Sequence, residues 1–203
     1  MAKRIGVHLG TAGGASNAVD KAHEIGANTL QIFSSSPRQW KPYELASGHV
    51  KEMIRLREKY DLKPRAQIVD SAWGALDPSI MGLGPVLSST KLMRRHNLAL
   101  DAIELWEINE AFAAQVLACV AAWNDDAFCR DVLGLPGAAG EIPRDKLNVD
   151  GGAIGLGHPV GASGNRIVLH LVNAMKRLGK KRGIATECIG GGQGGAMLIE
   201  TVQ

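Results

Sequence analysis

The most informative stretch of this sequence is GGAIGLGHPVGASG, residues 151–164, in which His158 stands among closely spaced glycines. Clustered glycines let the backbone turn sharply or approach a ligand closely. A short apolar run, Leu147–Val149, precedes the stretch, and helical spacing follows it over about Ala162–Leu178. We therefore predict a strand-to-helix turn that places His158 just before a helix N-terminus, whose partial positive charge favours an anion nearby.

Two other segments place reactive residues at the predicted ends of strands, where ligands bind in open α/β sheets. They are WEINEAFA, residues 106–113, and CIGGGQGG, residues 188–195. The small residues after Cys188 are expected to leave its sulfur accessible, as a reactive thiolate requires. Each signal is weak alone, because a lone histidine at such a junction is more often structural and a lone cysteine is more often a small buried hydrophobe.

The second part of the chain alternates predicted strands and helices, which indicates an α/β fold with a mixed sheet flanked by helices on both faces. Helices are predicted at Val86–His96, Glu110–Trp123 and Ala162–Leu178. The second of them is apolar on most sides and is therefore expected to be buried. Strands are predicted at Ala66–Val69, Ile103–Ile108, Leu147–Val149, Gly183–Cys188 and Ala196–Val202, and Asp125–Arg144 is predicted to be irregular.

In this order, NEAFA, GGAIGLGHPVGASG and CIGGGQG resemble signature blocks of the C-terminal domain of thiolases. DPSIMGLGP, residues 77–85, also looks like this family, and the resemblance runs from about Ala66 to Gln203. Thiolases are acyl-CoA acyltransferases that make or break a 3-ketoacyl-CoA. The resemblance therefore implies a thiolase-like C-terminal domain, a coenzyme A thioester as substrate, and no covalently bound cofactor.

The resemblance also implies roles for four residues. Cys188 corresponds to the acid/base at the substrate α-carbon, and His158 to the histidine that activates the nucleophile and helps form an oxyanion hole. Asn109 corresponds to the asparagine that holds a water in a second oxyanion hole, and Gly190 to the glycine whose N–H meets the thioester oxygen. These roles fit a Claisen condensation, which needs a base for the α-proton and donors for two developing oxyanions.

Three further residues, Glu110, Gly157 and Gly161, are expected to belong to the loop around the substrate. One residue departs from the family pattern, because Glu187 stands where an apolar residue is usual. Strand alternation predicts that Glu187 points away from Cys188. A carboxylate so close by would nevertheless raise the pKa of the thiol.

The nucleophile of the family is a second cysteine, which belongs to the N-terminal domain of thiolases. Here only Cys119 and Cys129 precede His158, and neither stands in a glycine- and serine-rich nucleophile turn. Cys119 lies in the apolar run LACVAAW and is expected in the core. Because ping-pong acyl transfer needs a group to acylate, we expect the site to be inactive unless another chain supplies the nucleophile and the coenzyme A-holding loop domain.

Residues 1–64 have a different pattern, with predicted strands at Ile5–His8 and Thr29–Phe33 and predicted helices at Asn17–Ile25 and about Tyr43–Tyr60. IGVH, TAGG, LQIF and RQW resemble the start of endonuclease IV, an apurinic endonuclease with a TIM barrel and three zinc ions. The resemblance implies a two-unit βα fragment in which Arg38 faces DNA. His8 alone is not a zinc site, so no complete metal site is expected. The chain thus looks like a fusion of two domains, residues 1–64 and 65–203.

Two alternatives to an acyltransferase remain at this point. One is a non-catalytic remnant or interaction module that forms homo- or hetero-oligomers through exposed apolar helices. The other is DNA binding through Arg38 and the basic stretch Lys176–Arg182, although cations at a helix C-terminus explain that stretch better. A net charge of +3 does not favour nucleic acid or membrane partners. Three cysteines and no membrane-length apolar run suggest a cytoplasmic protein.

Overall fold

A computed structural model of the chain describes residues 6–8, 15–27, 29–31 and 47–202. The chain divides into two compact units, Met1–Lys63 and Pro64–Gln203. Each unit has its own helices and strands, so the two are described separately.

The first unit contains a parallel pair of short strands, β1 (Gly6–His8) and β2 (Thr29–Gln31), with helix α1 (Ala15–Glu24) between them. Parallel strands need such a crossover connection. Helix α2 (Ser47–Lys59) follows and packs on α1. The Tyr60 hydroxyl donates to Asp20 at 2.5 Å. Arg38, the residue expected to face DNA, lies outside the described residues.

The second unit is built on a mixed four-stranded sheet in the order β3-β6-β5-β4. Its strands are β3 (Ala66–Ala75), β4 (Leu105–Ile108), β5 (Arg182–Ile189) and β6 (Gln193–Thr201). The pairs β3–β6 and β6–β5 are antiparallel, whereas β5 and β4 are parallel. The predicted mixed sheet is confirmed, although β3 extends well past the predicted end at Val69.

Helices cover both faces of this sheet. Neighbouring residues on one strand belong to different apolar clusters: Trp106 to one with helix α3 (Gly84–Arg95), and Leu105 to one with helix α7 (Ser163–Leu178). Because successive side chains of a strand point to opposite faces, α3 and α7 lie on opposite sides of the sheet. Gly179 ends α7 at a φ of 65°, a conformation that glycine adopts without strain.

Helix α4 (Ala113–Asn124) differs from the prediction in its start and in its burial. It begins three residues later than predicted, because Asn109 and Glu110 serve the loop before it. Only one of its faces is buried, and Leu117 on the other face is 64 % exposed. The expectation of a helix buried on most sides was therefore wrong.

Two further segments differ from the prediction. Residues 147–149 form only an isolated bridge, Leu147 to Trp106, because Asn148 has a φ of 45° that interrupts an extended strand. The stretch predicted to be irregular contains a short helix, α5 (Asp126–Asp131), capped by the Asp125 carboxylate, which accepts from the Phe128 N–H at 2.7 Å. The glycine stretch contains one more short helix, α6 (Ala153–Leu156).

The parallel pairing of β4 and β5 brings their carboxyl ends to the same edge of the sheet. Asn109 follows β4, and Cys188 is the penultimate residue of β5. Helix α7 begins at the end of the glycine stretch that carries His158. In the part of the chain that the structure describes, no helix is long and apolar enough to cross a membrane.

Candidate active site

Asn109 and His158 meet at this edge of the sheet although 49 residues separate them. The Asn109 N–H donates to the Thr186 carbonyl at 2.9 Å, which ties the end of β4 to β5. The Asn109 side chain is 1 % exposed, and its Nδ2 lies 3.4 Å from Nδ1 and 3.5 Å from Nε2 of His158. The two residues predicted from the sequence are thus in contact.

Ser163 at the start of α7 orients His158. Its Oγ lies 2.7 Å from Nδ1 of His158 and 3.3 Å from the Pro159 carbonyl. A serine hydroxyl has one proton, so when it donates to Pro159 it must accept from Nδ1–H. This arrangement leaves the lone pair of His158 Nε2 free to take a proton. Sequence reasoning missed Ser163, even though it lies within the glycine stretch that was singled out.

Cys188 does not sit in the accessible, thiolate-favouring environment that was expected. It is 9 % exposed, and burial raises the pKa of its thiol, with a further contribution from the Glu187 carboxylate. The expectation was wrong because the sulfur faces the packed interior, whereas it is the hairpin after Cys188 that is open. Glu187 is half-buried on the other face of β5, as alternation predicted, and its charge acts on the thiol in the predicted direction.

The other two cysteines of the sequence are core residues. Cys119 is fully buried, donates to the Gly82 carbonyl at 3.2 Å, and has its pKa raised to about 12 by burial, with the charge of Cys188 contributing. Cys129 is also fully buried and donates to the carbonyls of Ala122 and Trp123. The prediction that Cys119 is structural is confirmed, and Cys129 is equally unsuited to act as a nucleophile.

Glu110 anchors the glycine stretch to the end of β4. Its Oε1 accepts from Asn148 Nδ2 at 2.9 Å, and its Oε2 accepts from the Ile154 N–H at 3.0 Å. A Cβ at Gly152 would lie 2.7 Å from this carboxylate, so a larger residue there would displace the Glu110 side chain from its hydrogen bonds. Asn148 also bonds both backbone groups of Ile108 at 2.9 Å, a role that sequence reasoning missed.

The other three glycines predicted for the site lie on exposed loops. Gly157, directly before His158, has a φ of +85°, and its carbonyl accepts from Arg166 Nη1 at 2.9 Å. Gly190 is in the turn that joins β5 to β6, and Gly161 is in the turn before α7. A Cβ at Gly161 or Gly190 would meet no atom within 4 Å. The space next to both glycines is therefore open on the side of the site where a Cβ would point.

The site brings together side chains of the types that transfer protons and stabilise an oxyanion. Among residues 6–8, 15–27, 29–31 and 47–202, no three His, Cys, Asp or Glu side chains are grouped so that they could hold a metal ion. The arrangement offers an imidazole base, a buried thiol and an amide donor within one edge of the sheet. This set suits proton transfer and the stabilisation of a developing oxyanion.

Comparison with known proteins gives one consistent result. Residues 62–201 match the family model described as the C-terminal domain of thiolase. The chain is 43 % identical over 153 residues to an acetyl-CoA acetyltransferase of Syntrophomonas wolfei, which covers 74 % of this chain and 35 % of that protein. It is 45 % identical over 159 residues to a 3-ketoacyl-CoA thiolase of Aliivibrio fischeri, covering 77 % of this chain and 38 % of that protein.

A solved structure of human mitochondrial 3-ketoacyl-CoA thiolase in complex with CoA superposes with a TM-score of 0.60 at 39 % identity. The match covers 73 % of this chain and 34 % of that chain. The present chain thus spans about a third of the length of the relatives it matches.

Proposed function

This chain belongs to the thiolase family through its C-terminal domain, and we propose that it supplies the proton-transfer half of an acyl-CoA acyltransferase active site. The observation that supports the proposal most is the contact between Asn109 Nδ2 and the His158 ring at 3.4 Å, at the edge of the sheet where β5 brings Cys188. The substrate is a coenzyme A thioester, and no cofactor is covalently bound.

In the condensing direction, the Cys188 sulfur takes a proton from the α-carbon of an acyl-CoA. The resulting carbanion attacks the carbonyl carbon of an acyl group held on a second cysteine, and that cysteine leaves as a thiolate. That thiolate takes up the proton that Cys188 now carries. His158, whose Nε2 lone pair is free, takes the proton of the second cysteine when that cysteine is acylated and passes it to the coenzyme A thiolate that leaves. Thiolysis is the same sequence in reverse. The raised pKa of Cys188 makes its thiolate, once formed, a stronger base toward carbon.

Two oxyanions develop in these steps, and each needs donors. We assign one to His158 together with a water held by Asn109, whose Oδ1 is buried without a partner among the described residues. We assign the Gly190 N–H to the thioester oxygen, next to the open space around that glycine. Glu110, Gly157 and Gly161 hold and shape the loop around the substrate. Removing one such donor costs about 3 kcal/mol of transition-state stabilisation.

The nucleophilic cysteine must come from residues outside this sequence, on a longer polypeptide or on another chain. All three cysteines of the sequence are accounted for by Cys188 and the two core residues Cys119 and Cys129. We therefore propose that these 203 residues alone do not turn over 3-ketoacyl-CoA.

Complementation tests this proposal. The chain is mixed or co-expressed with the N-terminal two thirds of a related thiolase, and thiolysis of acetoacetyl-CoA is measured. We expect no turnover by the chain alone, turnover by the mixture, and at least a roughly hundredfold loss in His158→Ala and in Cys188→Ala. His49→Ala, on a helix of the first unit, is the matched control. Turnover by the chain alone would contradict the missing nucleophile.

A second candidate function is a non-catalytic interaction module. The apolar face of α4 favours it, because Leu117 is 64 % exposed and Phe112, just before the helix, is 61 % exposed. In that case the folded chain associates with itself or with a thiolase-like partner and never transfers an acyl group. Light scattering of the chain and of Leu117→Glu, each alone and mixed with a related thiolase, tests it, since the absence of association in every sample removes the proposal.

DNA binding and the endonuclease IV-like origin of residues 1–64 remain weaker proposals. In the basic stretch at the end of α7, Arg177 is paired with Asp150 at 2.6 Å and Arg182 with Glu200 at 2.6 Å. Paired cations contribute less to phosphate binding, so this surface is less basic than its sequence implies. Salt-dependent binding of a duplex with an abasic site would support DNA binding by this chain, and the absence of such binding would remove the proposal.

A further inference from the structure

A cluster of charged residues lies beneath the loop that carries His158, and the proposed reaction does not use it. His170, on α7, places Nδ1 at 2.8 Å from Glu107 Oε1 and Nε2 at 2.8 Å from Asp150 Oδ2. Arg177, about two turns further along α7, binds Asp150 at 2.6 Å and 2.8 Å. Glu107 is on β4 and is 4 % exposed, so the row runs from the core of the domain to its surface.

The loop lies over a cavity instead of a packed core. This cavity has a volume of about 160 Å³ and is lined by Glu107, Asn109, Glu110, Asp150, Arg166 and His170. Two atoms that face buried space, Asn109 Oδ1 and Arg166 Nη2, have no hydrogen-bond partner among the described residues. Without close packing beneath it, the loop keeps its position mainly through polar anchors.

The loop has three such anchors. Glu110 holds its first part through Asn148 and the Ile154 N–H, and Arg166 holds its end through the Gly157 carbonyl at 2.9 Å. The third anchor is the Asp150 carboxylate, directly before Gly151, which binds both His170 and Arg177. Of the three, only this anchor depends, through His170, on a group that gains or loses its charge near neutral pH.

We propose that His170, as an imidazolium held between Glu107 and Asp150, is a positioning residue that fixes the glycine loop and with it the place of His158. An imidazolium donates from both ring nitrogens and so satisfies both carboxylates at once. The neutral ring has one N–H and can donate to only one of them. Loss of the proton therefore releases the loop from β4 or leaves Glu107 without its donor.

The charges around His170 favour the imidazolium. Burial lowers the pKa of His170, but the Glu107 charge and the hydrogen bonds to Asp150 and Glu107 outweigh it, and the pKa is raised overall. Arg177 binds Asp150 and keeps that carboxyl ionised, with its pKa below the usual value. Glu110 and Arg166 are the other charged groups on the cavity, and they lie on the β4 side and on α7 itself. The bridge through His170 is thus present at low pH and is lost as pH rises through the raised pKa.

Hydrogen exchange of the loop in the 203-residue chain tests the inference. The readout is the protection factor of the Gly151, Leu156 and Gly157 amides, which bond within the loop. It is measured by NMR from pH 6 to 9 together with the titration of the His170 ring. We expect protection to fall about tenfold, the effect of losing one charge-assisted hydrogen bond, with the same midpoint as the ring titration. Different midpoints would overturn the inference.

Variants separate positioning from a merely structural role. His170→Gln is expected to show low protection that no longer changes with pH, and Glu107→Gln is expected to move both midpoints to lower pH together. His96→Gln is the matched control, since His96 lies 3.0 Å from Asp70 on the surface of the same unit. A pH-dependent loop in His170→Gln would contradict the proposal.

The inference rests on the proposed function only in naming His158 as the residue whose position matters. Loop protection is measured without any turnover. An inactive site with a pH-dependent loop would therefore refute the proposed function alone, and an active site with a pH-independent loop would refute this inference alone.

Discussion

Glu107 has a carboxyl group buried inside the domain, and this burial has an effect on stability that can be measured. Burial raises the pKa of Glu107 from 4.5 to about 7, with Glu110 and Asp150 adding to the rise and His170 opposing it. In the unfolded chain the same carboxyl ionises near its ordinary pKa. The Glu107–His170 pair of the folded state therefore holds a proton that the unfolded state releases, and stability falls as pH rises through this range.

Replacing Glu107 by Gln removes that loss of stability. Between pH 5 and pH 8 we expect the wild-type free energy of unfolding to fall by about 2 kcal/mol more than that of Glu107→Gln, since one pKa unit corresponds to about 1.4 kcal/mol. Urea unfolding at the two pH values measures the difference. Glu141→Gln, at an exposed position of the same unit, is the control. Parallel pH dependence in wild type and Glu107→Gln would show that the buried carboxyl is already ionised at pH 5.

Cys188 offers a second measurement at the residue scale, because it is the most accessible of the three cysteines. Alkylation by iodoacetamide follows the thiolate fraction. Removing the Glu187 charge lowers the pKa of Cys188, so Glu187→Gln is expected to react severalfold faster at pH 7.5. Glu200→Gln, on the neighbouring strand, should react as the wild type does. An unchanged rate in Glu187→Gln would mean that this carboxylate does not act on the thiol.

At the scale of elements, the sequence predicted which strands and helices exist better than it predicted their burial and backbone conformation. The apolar runs of β4, β5 and β6 and the spacing of α7 were sufficient to predict these elements, because the packing of each element agrees with the periodicity of its sequence. The sequence-based prediction failed at α4, where an alanine-rich run is apolar on most sides although only one face is covered. It also failed at 147–149, where the left-handed backbone of Asn148 serves its bonds to Ile108 and is invisible in hydropathy.

The GLGP segment, residues 82–85, is in close backbone contact with the sheet. A Cβ at Gly84 would lie 2.5 Å from the Gln193 carbonyl oxygen, and one at Gly194 would overlap the backbone of Gly84. The start of α3 therefore touches β6 backbone to backbone. Because neither side can move without disturbing the sheet, an added methyl group here acts as overpacking.

Gly194→Ala is accordingly expected to destabilise the chain by about 3 kcal/mol, at the upper end of the usual overpacking cost. Gly155→Ala is the matched control, because a Cβ there meets nothing within 4 Å and its φ is not positive. Thermal or urea unfolding of the two variants measures the difference. Equal stability of Gly194→Ala and Gly155→Ala would contradict the close contact.

At the scale of the whole molecule, the resemblance of the three motifs predicted the family. The residues proposed for the site come from the same motifs, which lie where strands end. The hydrogen bonds that orient those residues could be predicted only in part. Ser163 and Asn148 orient the predicted residues through hydrogen bonds across the loop, and His170 reaches Glu107 over 63 positions. Such partners carry no periodic or compositional signal. The resemblance of residues 1–64 to endonuclease IV remains a prediction.

The central claim is that the chain carries the proton-transfer half of the acyltransferase site, and it can be tested without the missing nucleophile. In D₂O, a base at Cys188 exchanges the methyl protons of acetyl-CoA for deuterium, and no acyl group needs to be transferred. Mass spectrometry or NMR of acetyl-CoA follows the exchange. We predict exchange above the buffer rate with the wild-type chain and with His49→Ala, and loss of exchange in both Cys188→Ala and His158→Ala. Exchange at the buffer rate in a folded wild-type chain would contradict the claim.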